Sequence, residues 1–208
     1  MSGVNGEARN SVKPNDGSDL LTVALAAALG GQNDALKDVP GVVSAFLADS
    51  ADEGLVIKAV VHDLKVAKVV VMGVPDVPGA AGRLFASLAE RGVGTEMIIQ
   101  NHMRGGLNDI GFLILKENLD AAIDVCRAFS RDVEAQGVSF STEIARVSVV
   151  GAGIANHPDI PSRMFSTLGK EGINIEMISS TGLSVTCVVS STRAADAVRA
   201  LREHFIPS

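Results

Sequence analysis

The chain has 208 residues, 47% of them hydrophobic and 20% charged, enough for one sizeable core or two small ones. A net charge of -6, no run among the 18 basic residues and no Trp or Tyr to stack on bases argue against a nucleic-acid partner. No segment approaches the roughly 18 apolar residues of a membrane span, and the polar start lacks a signal-peptide pattern, so a cytoplasmic protein without membrane contact is expected.

Residues 1–18 are rich in Gly, Asn, Ser, Asp and Pro and are expected to be disordered. Asp19 can cap a short helix over 20–29 that Gly30 and Gly31 end. An apolar patch at 42–47 has no evident role, and 1–53 reads as an N-terminal extension. Residues 55–61 and 67–73 read as strands, the second bounded by the turn Pro75-Asp76-Val77-Pro78-Gly79. A helix follows, with Leu84, Leu88, Val93, Ala81, Phe85 and Ala89 on its apolar stripe and Gly92 closing it. Strands at 94–101 and 109–115, a helix lined by Leu119, Ala122, Ile123, Cys126 and Phe129, and a short strand at 138–142 complete a β-α-β-β-α-β unit of ferredoxin-like type.

The pattern then repeats. Val66 to Gly73 returns as Ile144 to Gly151, and Glu96-Met97-Ile98 as Glu176-Met177-Ile178, with two extra residues in the second turn. The second copy reads as a strand at 146–151, a helix at 161–171, strands at 173–179 and 183–190, and a helix at 192–205. No residues remain for its last strand. Residues 55–61 have no place in the first copy, and an open sheet edge would be a liability, so the first unit is expected to be inserted into the second. The domains are then 64–143 for the first unit and 54–63 with 144–208 for the second. The fold class is α+β, with two βαββαβ units.

A strand that runs through Gly79 into a helix can aim the N–H groups of Gly79, Ala80 and Ala81 at an anion such as an α-carboxylate. Asp76 can hold an ammonium group or cap the helix. Glu96 and Glu176, at matching points of the two copies, can meet a polar ligand group or face solvent at a sheet edge. Gln100 and Asn101 offer neutral donors and acceptors. Catalysis finds little support. His62, His102, His157 and His204 have no metal-ligand spacing, no phosphate-cradling loop with its lysine is present, and Gly151-Ala-Gly153 lacks the third glycine of a dinucleotide fingerprint. No metal and no cofactor are expected. Cys126 and Cys187 lie in apolar segments and read as buried thiols.

Residues 70–101, with Gly-Val-Pro-Asp-Val-Pro-Gly and Glu-Met-Ile-Ile-Gln-Asn, resemble the first ACT domain of aspartate kinases. Ala145-Arg-Val-Ser-Val-Val-Gly-Ala-Gly153, Asn156-His-Pro158 and Ile173-Asn-Ile-Glu-Met-Ile-Ser179 resemble the second. The likeness covers about residues 54–205 and is to the regulatory part of the enzyme, comparable to the β subunit of heteromeric aspartokinases; residues 1–53 are too few for the kinase fold. It implies a non-catalytic protein that binds lysine or threonine, dimerises through ACT sheets and partners a kinase catalytic subunit. The alternatives are a truncated product of an aspartate kinase, with its phosphotransferase activity elsewhere, or a ligand-free dimerisation module. By position the resemblance assigns effector contacts to Asp76, Gly79, Ala80, Glu96, Met97, Ile98, Gln100 and Asn101, and a second candidate site to Asn156, His157, Pro158, Glu176 and Ser179. The family's usual glycine is replaced by Asp159, its Thr-Ser-Glu-Ile by Ser180-Thr-Gly-Leu183, and its Thr-Asp-Ile-Thr-Phe by Asn108-Asp-Ile-Gly-Phe112. The first site is therefore expected to be the usable one.

Overall fold

A computed structural model describes residues 56–206 apart from residue 104. The helix expected over 20–29, the disorder expected over 1–18 and the apolar patch at 42–47 lie outside them. In chain order the strands are β1 (Val56–Asp63), β2 (Val66–Pro75), β3 (Glu96–Met103), β4 (Leu107–Leu115), β5 (Gly137–Ser141), β6 (Ile144–Ala152), β7 (Met177–Ser180) and β8 (Ser184–Ser190). The helices are α1 (Ala80–Glu90), α2 (Leu119–Asp132), α3 (Asp159–Lys170) and α4 (Ala194–Phe205).

Two four-stranded antiparallel sheets form, in the orders β3-β4-β2-β5 and β1-β6-β8-β7. The second sheet takes its edge strand from upstream of the first: Val60 of β1 pairs with Val149 of β6. The fold is thus two βαββαβ units with the first inserted into the second, as the strand count requires. Neither β1 nor β5 is an orphan.

Alternation along β2 and β6 sends each strand's side chains to two different places. Val69 and Val71 pack under α1 and α2 with Leu84, Leu88, Phe112, Cys126 and Phe129. Val147 and Val149 pack under α3 and α4 with Met164, Leu168, Cys187 and Leu201. The opposite faces meet each other: Val66 and Leu113 of one sheet lie with Ile144, Met177 and Val188 of the other in a third apolar cluster. A period of two with both faces partly covered yields the near-continuous valine runs of these strands.

Helix ends are repeated as faithfully as strands. Gly92, at φ 70°, donates to Ala89 O at 2.9 Å while Val93 donates to Leu88 O at 3.0 Å. Gly172, at φ 65°, donates to Gly169 O at 3.0 Å while Ile173 donates to Leu168 O at 2.9 Å. Each glycine takes the left-handed conformation that closes a helix and returns an apolar residue to the core. Ala89, expected on the apolar stripe, is exposed instead. The strand expected from 173 begins only at Met177, because Ile173 and Ile175 pack against the core while the chain approaches β8. Helix α3 starts at Asp159, with Pro161 in its first turn, where a missing N–H costs nothing.

Candidate functional site

The turn between β2 and α1 is held by the β3–β4 hairpin. Gly73, at φ 64°, sits in a break of the β2–β4 register between Val71 and Val74, and its N–H donates to Asp109 Oδ1 at 2.8 Å. Further along, Asp76 N–H donates to Gly106 O at 2.8 Å and Asn108 Nδ2 donates to Asp76 Oδ1 at 2.9 Å. His102 Nδ1 stands 3.5 Å from Asp76 Oδ2 and 3.3 Å from Asn108 Oδ1. Asp76 is still half-exposed.

Two expectations about this turn need correction. Gly79, at φ 90°, is the residue before the first turn of α1, and no side chain caps that helix, so Asp76 is not a cap. The amide of Ala80 is not available to an anion, because it donates to Val77 O at 3.2 Å. A tight turn closes on its own backbone before the helix begins, which uses a donor that the sequence pattern alone leaves open.

Along β3, Ile98, Gln100 and Asn101 lie exposed on an edge strand. Met97 has φ 51° where the β3–β4 register breaks between Glu96 and Ile99, and its side chain packs on the seam between the sheets. Glu96 and Glu176, both still partly open to solvent, each meet a cation from the other copy. Lys68 pairs with Glu176, and Arg146 pairs with Glu96. Lys68 and Arg146 occupy the same place in the two copies, as do the two glutamates, so the pairs are reciprocal across the seam. Arg146 is the more buried cation, with 7% side-chain exposure, and also reaches Asp63 Oδ2 at 3.2 Å.

Beside this seam is a cavity of about 290 Å³, bounded by Glu96, Met97 and Arg146 and by the hydroxyls of Ser148, Ser179 and Thr186 among others. Ser148 Oγ and Thr186 Oγ1 are 2.7 Å apart and buried. Of the residues singled out in the sequence, Glu96, Met97 and Ser179 meet here. Asp76 belongs to the separate cluster with His102 and Asn108.

The second turn is built differently. With two extra residues, this stretch winds into a 3₁₀ turn, Ile154–Asn156, and Ile154 is buried in the core of that unit. Asn156 donates to Gly153 O at 2.9 Å, His157 to Ile154 O at 3.0 Å and Ile160 to His157 O at 3.2 Å. Asn156 and Pro158 are exposed, while Asp159, in the first turn of α3, lies 3.4 Å from Arg163 and 3.9 Å from His157. These backbone donors are already engaged, and the helix start carries its own carboxylate.

Sequence reasoning passed over His102 and Asn108 as partners of Asp76. The signal was the adjacent pair Asn108-Asp109 at the opening of β4, since both side chains buttress the turn. The two cysteines are buried and free; burial pushes the Cys126 thiol up to about 11 and the Cys187 thiol up to about 12. Among the described residues no cluster of three His, Cys, Asp or Glu side chains is placed to hold a metal ion. No helix among them is long and apolar enough to cross a membrane.

Interlocked βαββαβ units joined by a charged seam define a tandem ACT-type protein, and residues 147–205 match the model of an ACT domain family. The regulatory subunit of aspartate kinase from Thermus thermophilus is similar at 31% identity and a TM-score of 0.68, over 72% of this chain and 98% of that one. The chain therefore belongs to the regulatory ACT part of the aspartate kinase family. A solved structure of aspartokinase alpha and beta subunits is similar at 28% identity and a TM-score of 0.68, over 72% of this chain and 99% of that one. The aspartokinase of Mycolicibacterium smegmatis is 33% identical over 172 residues, which are 81% of this chain and 41% of the relative. The chain thus spans about two fifths of the length of such curated relatives.

Proposed function

We propose that the chain is a non-catalytic, cytoplasmic regulatory protein that binds lysine or threonine and thereby controls an aspartate kinase catalytic subunit. The observation that carries this reading is the likeness to a separate regulatory subunit across 98% of that subunit's length. Its units are 64–143 and 54–63 with 144–208. The effector contacts are Asp76 with Gly79 and the edge residues of β3, because Asp76 offers an accessible carboxylate for an ammonium group whereas the twin turn has the neutral Asn156 at the matching place.

Ile98 and Ile178, at matching places in the two repeats, are 52% and 45% exposed. They lie on the edge strands β3 and β7. An exposed apolar edge invites pairing with another strand, which supports a homodimer built through the sheets. Effector binding then favours one arrangement of sheets, and the regulatory shift cannot exceed the ligand's difference in affinity between arrangements.

Calorimetric titration of lysine and threonine, each alone, into the purified chain tests the reading. Saturable heat with at least one of them is expected. Silence with both from a folded protein overturns it and leaves the ligand-free dimerisation module standing.

A further inference from the structure

We infer that Asn108 is a positioning residue for effector recognition, acting through Asp76; this rests on the proposal that Asp76 receives the ligand's ammonium group. Asn108 is 4% exposed, so its amide must find partners inside the protein. It links three segments. In register it lies opposite Val74 of β2 and His102 of β3, and its Nδ2 reaches Asp76 in the turn beyond β2.

The chemistry fixes which way this amide faces. A carboxylate only accepts, so the NH₂ must face Asp76 and the carbonyl must face His102, whose Nδ1 then carries the proton that it shares with Asn108 Oδ1. An ionised carboxylate has room for about four hydrogen bonds, and the one from Asn108 leaves capacity for a ligand. Asp76 keeps 48% side-chain exposure, so that capacity is reachable. A half-exposed aspartate without a buried anchor would sample several rotamers and lose that freedom on binding. Asn108 supplies the anchor from a strand rather than from the loop, so the carboxylate is held before the ligand arrives.

The ligand class is a small amino acid with a free α-ammonium. The twin copy has Leu183 and Ser184 at the start of its second hairpin strand, where Leu183 O accepts from Gly151 N–H at 2.9 Å and the Ser184 hydroxyl lies 3.0 Å from that of Thr181.

The test titrates lysine, threonine and their α-N-acetyl derivatives into the wild-type chain, Asn108→Leu, Asp76→Asn and the double variant, with circular dichroism and the unfolding midpoint confirming the fold. The free amino acid is expected to bind the wild type and the acetylated form to fail. Asn108→Leu should weaken binding about ten- to hundredfold, the range for one hydrogen bond to a charged group. In the Asp76→Asn background Asn108→Leu should add nothing, because the two residues act as a unit. Asn108→Val, which suits a strand but offers no donor, should show the same loss and replaces Asn108→Leu if the latter does not fold. Wild-type affinity in a folded Asn108 variant, or a loss that adds in full to that of Asp76→Asn, overturns the assignment alone. A wild-type chain that binds neither amino acid overturns both this assignment and the functional reading.

Discussion

After β2 the chain turns through Asp76, whose amide and carboxylate are both held by the neighbouring hairpin. After β6 the corresponding stretch winds into a 3₁₀ turn and drives Ile154 into the core. The two turns come from one repeated pattern, and two inserted residues separate their fates. The first holds its polar group at the surface with a buried anchor behind it; the second leaves Asn156 exposed at the matching place and buries Ile154 just before it. A duplicated fold can therefore retain its architecture in both halves while the hairpin side chain that anchors a turn carboxylate is found in the first half.

The sharpest way to break this comparison is at the reciprocal ion pairs, which look alike in sequence but differ in burial. Arg146→Ala strips the shared cation from Asp63 and Glu96 and should cost about 3 kcal/mol, as expected when one partner of a buried pair is removed. Lys68→Ala, whose pair with Glu176 has side-chain exposures of 22% and 30%, should cost about 1 kcal/mol or less. Chemical denaturation midpoints measure both, and equal losses would show that burial does not set the hierarchy. Next comes the bulge that launches the first turn. A Cβ at Gly73 would stand 2.4 Å from Gln136 Cγ, at a φ of 64°. Gly73→Ala should therefore destabilise by about 1–2 kcal/mol, with the backbone term dominant because the Gln136 side chain can move aside. The smallest effect on stability is expected at the edges: Ile98→Lys or Ile178→Lys should stay within about 0.5 kcal/mol. Either should nonetheless lower the apparent mass in sedimentation if the edges pair between copies.

Much of the fold was legible because it is written in two periods. Valines alternating in β2 and β6, stripes such as Leu84 and Leu88, and glycines at 92 and 172 carry strand, helix and stop signals within a few residues of one another. The insertion was legible by counting strands. The pairing of Glu96 with Arg146 was not, since a repeat reveals likeness within each copy and says nothing of how the copies face each other. A clue was present: both copies place a base early in the first strand and an acid at the approach to the next. Likewise Ala80 looked free because hydrogen bonds inside a tight turn leave no trace in residue type. The assignment of Asp76 to a cluster with Asn108 and His102 depends on a hairpin that closes about 30 residues away, beyond the reach of local pattern.

The borrowed edge strand also sets a timetable for synthesis. β1 leaves the ribosome before any strand of its own sheet exists, and its partner β6 follows only after the whole first unit has been made. At about 5–20 residues per second that delay lasts several seconds, long enough for the first unit to close while the nascent β1 trails beside it, unpaired. The apolar Val60 and Val61 are then the stretch most exposed to capture by chaperones or by another nascent chain.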